Sequence, residues 1–320
     1  MNNFKKIGLT ALAGSLVATS VAFAGEMTAT GTAEMKMTNN SQSAAGKTVG
    51  MGNSITFAGS GETDGGLNVA VSFELDQNAG DGTAATNGPF DSHSVSIGND
   101  GMGTLTVHGH GGSNSAAALD GTAAGDFWDN TLGISSSNTP TAGASGNGLV
   151  VYSLPTVMDG LALGASYASA GENDAGSTAY GAVYTGVEGL TVSFGKGTDN
   201  STKNVDKDQT IMKLAYAYGP VTLGWSNNDI DHTSANSDQE TQSMAISYTV
   251  TEAISVSYGE ETISKVGASS DIEVEGMTAS YTSGGMTVGL TSIEASNVDH
   301  SNVAINNDNE MWKVSLSFAF

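Results

Sequence analysis

The chain has 320 residues, a formal net charge of −23 and no cysteine, which excludes a disulfide framework and thiolate metal sites. With no arginine and a pI near 4.1, it is poorly equipped to bind phosphates, and we exclude nucleic acid as a partner. Hydrophobic residues make up 38% of the chain, below the roughly 45–50% of ordinary globular domains, so material for a large dry core is lacking.

The first 24 residues have the organisation of a secretory signal peptide. Two lysines precede an apolar run over 7–21, and the run ends in a small-residue cleavage motif at Ala24. We therefore expect residues 1–24 to be removed and 25–320 to form one exported domain. No later apolar run is long enough for a transmembrane helix, so insertion into a membrane would require a β-barrel.

Strict alternation of apolar and polar residues dominates the rest of the chain. From Leu67 to Asp76 every odd position is apolar, which is the period of a strand with one apolar face. Sixteen segments of this kind occur: 26–38, 48–58, 66–76, 92–98, 103–109, 147–154, 160–169, 178–185, 189–196, 209–218, 220–228, 241–250, 252–262, 270–282, 284–294 and 310–320. The sequence therefore predicts an all-β protein with an even number of strands.

The connectors between these strands alternate between short and long. The longer ones are rich in Asp, Asn and Ser and lie near 77–91, 110–146, 170–177, 197–208, 229–240 and 297–309. Bacterial outer-membrane barrels combine tight periplasmic turns with long external loops, so the alternation favours a transmembrane antiparallel β-barrel.

Aromatic residues occur near the ends of the predicted strands, as expected for girdles at the two membrane interfaces. The outer girdle is predicted to contain Phe73, Tyr167, Phe194, Trp225 and Tyr258. The inner girdle is predicted to contain Phe57, Tyr152, Tyr184, Tyr218, Tyr248, Tyr281 and Phe320.

A soluble β-sandwich also alternates, but its interior must be filled. Here the polar face carries side chains such as Ser255 and Ser257, which are too small to fill a closed barrel of about sixteen strands, so we predict an aqueous lumen. One irregularity remains: Ile272 and Val274 have the opposite parity to Met277. We expect a bulge at Gly276 or a strand that begins there.

Three stretches resemble the Gram-negative general diffusion porins. They are the ending Ser317-Phe318-Ala319-Phe320, the segment Gly101-Met102-Gly103-Thr104-Leu105-Thr106-Val107, and Ser153-Leu154-Pro155 with Gly160-Leu161. The resemblance implies a sixteen-stranded, homotrimeric outer-membrane channel for passive diffusion of small hydrophilic solutes and ions, without enzymatic activity. It also implies contact with lipid and lipopolysaccharide, and recognition of the terminal Phe320 by the barrel-assembly machinery.

The third external connector, from about His110 to Gly146, is the longest. In the family that the sequence resembles, this loop folds into the lumen and forms the constriction. Its ionisable side chains are Asp120, Asp126 and Asp129. Carboxylates at a constriction concentrate cations and repel anions, so cation preference is expected. An external loop with solvated charges is the alternative.

Three lysines have the polar parity of their strands: Lys36, Lys213 and Lys313. Each is a candidate for the lumen wall at the constriction, or else a solvated charge at the rim. The resemblance implies a basic wall opposite the acidic loop, but this chain has no arginine and departs from that pattern. A strong transverse field is therefore not expected, and an excess of negative charge remains.

No cofactor and no catalytic or transition-metal site is predicted. Oxygen-rich clusters at Glu172-Asn173-Asp174 and near 76–81 are candidates for Ca²⁺ that bridges to lipid phosphates. The alternative function is a non-conducting outer-membrane barrel that acts as an enzyme or an adhesin, which single-channel recording would distinguish from an open pore.

Overall fold

In a computed structural model of the chain, sixteen strands form one closed barrel in which each strand is antiparallel to both neighbours. The structure describes residues 27–41, 46–76, 90–130, 132–134, 146–169, 176–202, 205–234, 237–300 and 308–320. The predicted signal peptide (1–24), the cluster at Glu172-Asn173-Asp174 and most of the cluster near 76–81 lie outside these residues.

The sixteen strands confirm the predicted number. They are β1 (Thr28–Asn40), β2 (Lys47–Glu62), β3 (Asn68–Asp76), β4 (Ser92–Asn99), β5 (Gly103–His110), β6 (Leu149–Ser153), β7 (Leu161–Ala168), β8 (Ser177–Val187), β9 (Leu190–Thr202), β10 (Val205–Tyr218), β11 (Val221–His232), β12 (Gln239–Thr251), β13 (Ile254–Lys265), β14 (Ile272–Ser283), β15 (Met286–Ser296) and β16 (Asn309–Ala319). Single turns of 3₁₀ helix occur at Ala117–Leu119, Phe127–Asp129 and Val298–His300. Within the described residues, no helix has the length and hydrophobicity needed to cross a bilayer.

The barrel closes where β1 pairs with β16. At the end of this seam Gly31 and Phe320 exchange two backbone hydrogen bonds, of 2.8 and 3.0 Å. The Phe320 ring lies directly over Gly31, because a Cβ atom at Gly31 would be 2.6 Å from the ring. Glycine therefore makes room for the terminal aromatic side chain at the closing seam.

Alternation separates a lipid face from a lumen face. On β10 the outward side chains Met212, Leu214 and Tyr216 are all exposed, as a lipid-facing surface requires. The alternate residues Ile211 and Lys213 point inward and are less exposed. The predicted apolar face is thus the outer face of the barrel.

The register is continuous where a bulge was expected, so that prediction was wrong. Gly276 pairs directly with Gly259 on one side and Ile293 on the other, without a shift. Ile272 and Val274 face inward and are buried, whereas Met277 faces outward and is exposed. The apolar residues change parity because two different surfaces are apolar along this strand. Near its extracellular end, Ile272 and Val274 are buried inside the barrel, whereas closer to the periplasmic end Met277 and Tyr281 face outward.

The prediction of a long connector at 197–208 was also wrong, because most of these residues belong to strands. β9 continues to Thr202 and β10 begins at Val205, and Asp199 pairs with Lys207 in the ladder between them. Polar residues that suggested a loop instead extend this hairpin beyond the lipid-facing part of the barrel.

Phe57 does not lie at the inner interface as predicted. It is the direct cross-strand partner of Phe73, and the two rings stack with centroids 5.4 Å apart. Residues paired in an antiparallel ladder lie at the same level, so Phe57 belongs with the aromatic residue predicted for the outer girdle.

A row of four glutamates crosses the outer face of β13 to β16. Glu260 pairs with Glu275, Glu275 with Glu294, and Glu294 with Glu310, and all four side chains are exposed. The Tyr258 hydroxyl lies 2.6 and 2.8 Å from carboxylate oxygens of the first two. Ionised carboxylates are unfavourable in hydrocarbon, so this row marks the outer limit of the lipid-tail region on these strands.

Candidate functional site: the loop inside the barrel

The loop between β5 and β6 (residues 111–148) is called the long loop below. Its described part from Ser115 to Leu132 lies inside the barrel. The backbone of this part of the loop contacts inward-facing side chains on β7, β11, β12 and β16. The bonds join Ser115 N to Ser166 Oγ (2.9 Å), Asn228 Nδ2 to Asp120 O (3.0 Å), Ala123 N to Ser226 Oγ (2.9 Å), Ala124 N to Ser243 Oγ (3.0 Å) and Asn309 Nδ2 to Leu132 O (2.6 Å). All these wall residues lie between β7 and β16, so the loop follows that side of the lumen.

Inward-facing glycines line the path of the loop. A Cβ atom at Gly181 would be 2.4 Å from the Ser115 carbonyl oxygen, and one at Gly259 would be 2.6 Å from the Ala124 Cβ. Backbone can approach the wall this closely only where the wall has no side chain. Some of the small inward residues that predicted a water-filled lumen therefore support the loop.

Glu261 on β13 holds the tip of the loop. Its side chain is buried, with 1% of its surface exposed. Oε1 accepts a hydrogen bond from Phe127 N at 3.0 Å and another from the Thr122 hydroxyl, and Oε2 accepts one from Trp128 N at 2.8 Å. One wall carboxylate thus satisfies three donors of the loop.

A dry apolar cluster fixes the same part of the loop. Phe127 and Leu132 pack against inward-facing residues of the strands and against Val298 of the last external connector. The strand residues of the cluster are Ile263, Ile272, Val274, Ile293, Ala295 and Met311. Burying a phenylalanine side chain contributes about 1.5–3 kcal/mol, so this packing adds substantially to the hydrogen bonds.

The acidic side chains of the loop differ in environment. Asp126 has a left-handed backbone (φ 57°), and its Oδ1 accepts hydrogen bonds from Thr122 N (2.8 Å) and Trp128 Nε1 (3.3 Å), which closes the turn. Asp129 is exposed and Asp120 is half-buried. Burial, reinforced by the Asp126 charge and opposed by Lys213, raises the pKa of Asp120 to about 6.

Lys213 is the predicted lysine that the structure brings to the acidic loop. Its ammonium group donates a hydrogen bond to the Gly121 carbonyl oxygen. A Cβ atom at Gly121 would lie 3.4 Å from Asp126 Oδ2 and 3.7 Å from Lys213 Nζ, so both charges flank this point. Asp120, Asp126 and Lys213 therefore form one charged group.

Lys36 and Lys313 face the lumen elsewhere. Lys36 Nζ on β1 is 3.8 Å from Glu34 Oε2, and Lys313 on β16 lies between Thr38 and Thr291 in the ladder. In the described part of the chain, neither lysine has a hydrogen bond or ion pair with the long loop.

Sequence reasoning missed the wall residues that hold the loop, Glu261 above all. The strand predicted at 252–262 had Ser255, Ser257 and Gly259 on its inner face, and parity places Glu261 in the same row. A charged residue among small inward-facing neighbours was the available signal.

Comparisons with known proteins agree with this architecture. A sequence profile described as Gram-negative porin matches residues 8–282. No curated protein matches the sequence. Among solved structures, an anion-selective porin from Comamonas acidovorans has a TM-score of 0.71 at 15% identity. The superposition covers 92% of this chain and 99% of that porin.

Two further structures are similar over the same extent. A loop-deletion mutant of OmpT, an outer membrane protein of Vibrio cholerae, has a TM-score of 0.70 at 14% identity. The match covers 92% of this chain and 99% of the OmpT mutant. A triple mutant of the Rhodopseudomonas blastica porin has a TM-score of 0.66 at 16% identity, with 92% and 100% coverage. These likenesses support the fold, and the profile match shows that the chain belongs to the Gram-negative porin family, whose members are non-enzymatic barrels of the outer membrane.

Proposed function

We propose that this porin is a cation-preferring channel for passive diffusion of small hydrophilic solutes, with its constriction at the long loop. The observation that supports the proposal is the position of the described part of that loop against the inner wall. The ionisable side chains of the loop are three carboxylates, and it has no basic side chain. Fixed negative charge beside a narrow aqueous path attracts cations and repels anions.

The basic residues of the lumen support the same sign of selectivity. The Lys213 ammonium group donates a hydrogen bond to the Gly121 carbonyl oxygen and lies beside carboxylates of the loop. The positive charge of Lys36 is close to the carboxylate of Glu34. Across the lumen, β1 and β3 also contribute the inward-facing acids Glu34 and Glu74. We propose Asp120, Asp126 and Asp129 as the selectivity residues, with Lys36, Lys213 and Lys313 as wall charges.

One similar structure is of a porin described as anion-selective, but 15% identity carries no information about individual charges. Ion preference follows from the side chains that face the path. In this chain the loop contains carboxylates alone among ionisable groups.

The test is a reversal-potential measurement across a planar bilayer under a KCl gradient. The wild-type protein is expected to form open channels with K⁺ preference, and Asp120→Asn/Asp126→Asn/Asp129→Asn is expected to reduce that preference. The matched control replaces three exposed aspartates of the periplasmic turns, Asp64, Asp100 and Asp159, by asparagine. Equal selectivity in the loop variant and the wild type would remove the loop acids from the constriction, and a silent barrel would refute the channel.

We further propose that the assembly is a homotrimer that uses the face formed by β3 to β7. These strands have 9, 8, 8, 5 and 8 residues, at or below the roughly 9–11 that span a bilayer. An apolar cleft of about 610 Å³ on this face is lined by Val71, Phe73, Phe90, Val95 and Val107, among others. Contact with another copy would shield a wall too low for lipid.

Because the chain has no cysteine, single-cysteine crosslinking tests this assembly cleanly. A thiol crosslinker is expected to join copies of Val95→Cys in intact membranes and to leave Val256→Cys, on the exposed face of β13, as monomers on denaturing gels. Crosslinking of the second variant alone would refute the assignment of the face.

We also propose that residues 1–24 are an export signal. The lysine pair, the apolar run and the small residues before Gly25 support it. Amino-terminal sequencing of the protein from outer membranes is expected to begin at Gly25, and a sequence that begins at Met1 would contradict it.

A further inference from the structure

We infer that Glu261 is the positioning residue of this pore: its buried carboxylate holds the long loop against the wall and so sets the width and steadiness of the passage. The inference does not depend on ion preference, because it concerns where the loop lies and not its charge.

The geometry distinguishes Glu261 from the other anchors of the loop. Ser226 and Ser243 each accept one backbone N–H bond from the loop. Glu261 accepts two consecutive N–H bonds, from Phe127 and Trp128, together with the Thr122 hydroxyl. Three hydrogen bonds from the loop therefore converge on one side chain, whereas each serine receives one.

These bonds act at the point where the loop turns. Thr122 also accepts a hydrogen bond from Asp126 N at 2.8 Å through its hydroxyl oxygen, and Asp126 in turn binds Thr122 N. The orientation of the turn that carries Asp126 is therefore transmitted from the wall through Thr122 and the backbone of Phe127. Glu261 itself is buried behind the loop and does not line the passage.

A carboxylate is required because both oxygens act as acceptors. Glutamine has the same shape, but its amide nitrogen would be a donor facing the backbone N–H of Phe127 or Trp128. At least one buried loop donor would then lose its partner, which favours release of the loop from the wall.

Single-channel recording of Glu261→Gln tests the inference, with Glu260→Gln as the matched control because the neighbouring side chain faces the outside of the barrel. We expect the wild type and the control to pass a steady current, and Glu261→Gln to lose that steadiness and to admit larger neutral sugars in liposome swelling. A purely structural role would lower the temperature at which the barrel unfolds on gels but would leave current and size limit unchanged. That result would overturn the inference.

A disulfide supplies the rescue. The Ala123 Cβ would lie 3.3 Å from a Cβ at Gly224, near the roughly 3.5–4.5 Å of disulfides, and the chain has no other cysteine. Adding Ala123→Cys and Gly224→Cys to the glutamine variant is expected to restore a steady current when oxidised and to lose it again on reduction. A fluctuating current in the oxidised form would show that loop release is not the cause, and would overturn the inference.

If Glu261→Gln fails to assemble, Thr122→Val removes one of the three donors and leaves the carboxylate in place. We expect the same fluctuation at lower frequency in this variant. A steady current with the wild-type size limit in Thr122→Val would then count against the inference.

Discussion

Lowering the pH from 7 to 5 is expected to weaken the cation preference of the pore through Asp120. Burial beside Asp126 raises the pKa of this carboxyl to about 6, so its charge is present above that pH and is lost below it. A group with this pKa is about nine-tenths ionised at pH 7 and about one-tenth ionised at pH 5, whereas an ordinary aspartate with a pKa near 3.9 stays ionised.

The magnitude follows from one elementary charge beside the path. At about 7 Å in an aqueous lumen, a unit charge interacts with a passing ion by about 0.6 kcal/mol. Salt at about 0.1 M, with a Debye length of about 10 Å, reduces this by roughly half. The remaining 0.3 kcal/mol or so raises local cations about 1.7-fold and lowers anions equally for a full charge. Because about 0.8 of the charge is lost between pH 7 and pH 5, the K⁺/Cl⁻ permeability ratio should fall roughly 2.3-fold.

Reversal potentials at pH 7, 6 and 5 measure this ratio, with Asp120→Asn recorded in parallel. The five histidines are present in both proteins, so the difference between the two titrations isolates Asp120. We expect the wild type to converge on the variant as the pH falls. Parallel titrations of both proteins over the whole range would refute the reasoning.

Three further outcomes follow from the contacts of the loop and the seam. Phe127→Ala should weaken docking of the loop by about 3–5 kcal/mol and expose it to protease in an otherwise intact barrel; an uncleaved loop would contradict this. Gly31→Ala places a Cβ atom 2.6 Å from the Phe320 ring and should slow assembly into the heat-resistant form, whereas Gly52→Ala, with open space around it, should not; equal assembly rates would contradict this. Asp126→Asn removes a charge but keeps the acceptor oxygen that closes the turn, so ion preference should fall without added current noise, while Asp126→Ala should also be noisy; two equally quiet variants would contradict the role of the turn.

The strands and the lipid face could be predicted because alternation is a local signal. Met212, Leu214 and Tyr216 identify the outer face by their own spacing, and the exposed fraction of each side chain agrees. Errors occurred where a second partner changes the meaning of a residue. Ile272 and Val274 appeared to break the register, because sequence alone does not show that the loop covers the inner face of β14.

The position of the loop inside the barrel could be expected from the sequence, but the side chains that attach it to the wall could not. Asp120 and Asp126 belong to the longest connector, so their position near the lumen could be expected from loop length and resemblance. Glu261 and Thr122 are 139 residues apart, and no spacing rule joins them. In the sequence, glycines that contact the loop, such as Gly181 and Gly259, cannot be distinguished from glycines that face water.

The glutamate row on β13 to β16 also limits how the barrel accommodates membranes of different thickness. Those carboxylates resist immersion, so this flank cannot sink to match longer acyl chains. The surrounding lipids must compress or stretch instead, at a fraction of a kcal/mol for each ångström of mismatch. The vertical position of the protein in the membrane is thereby fixed on this flank.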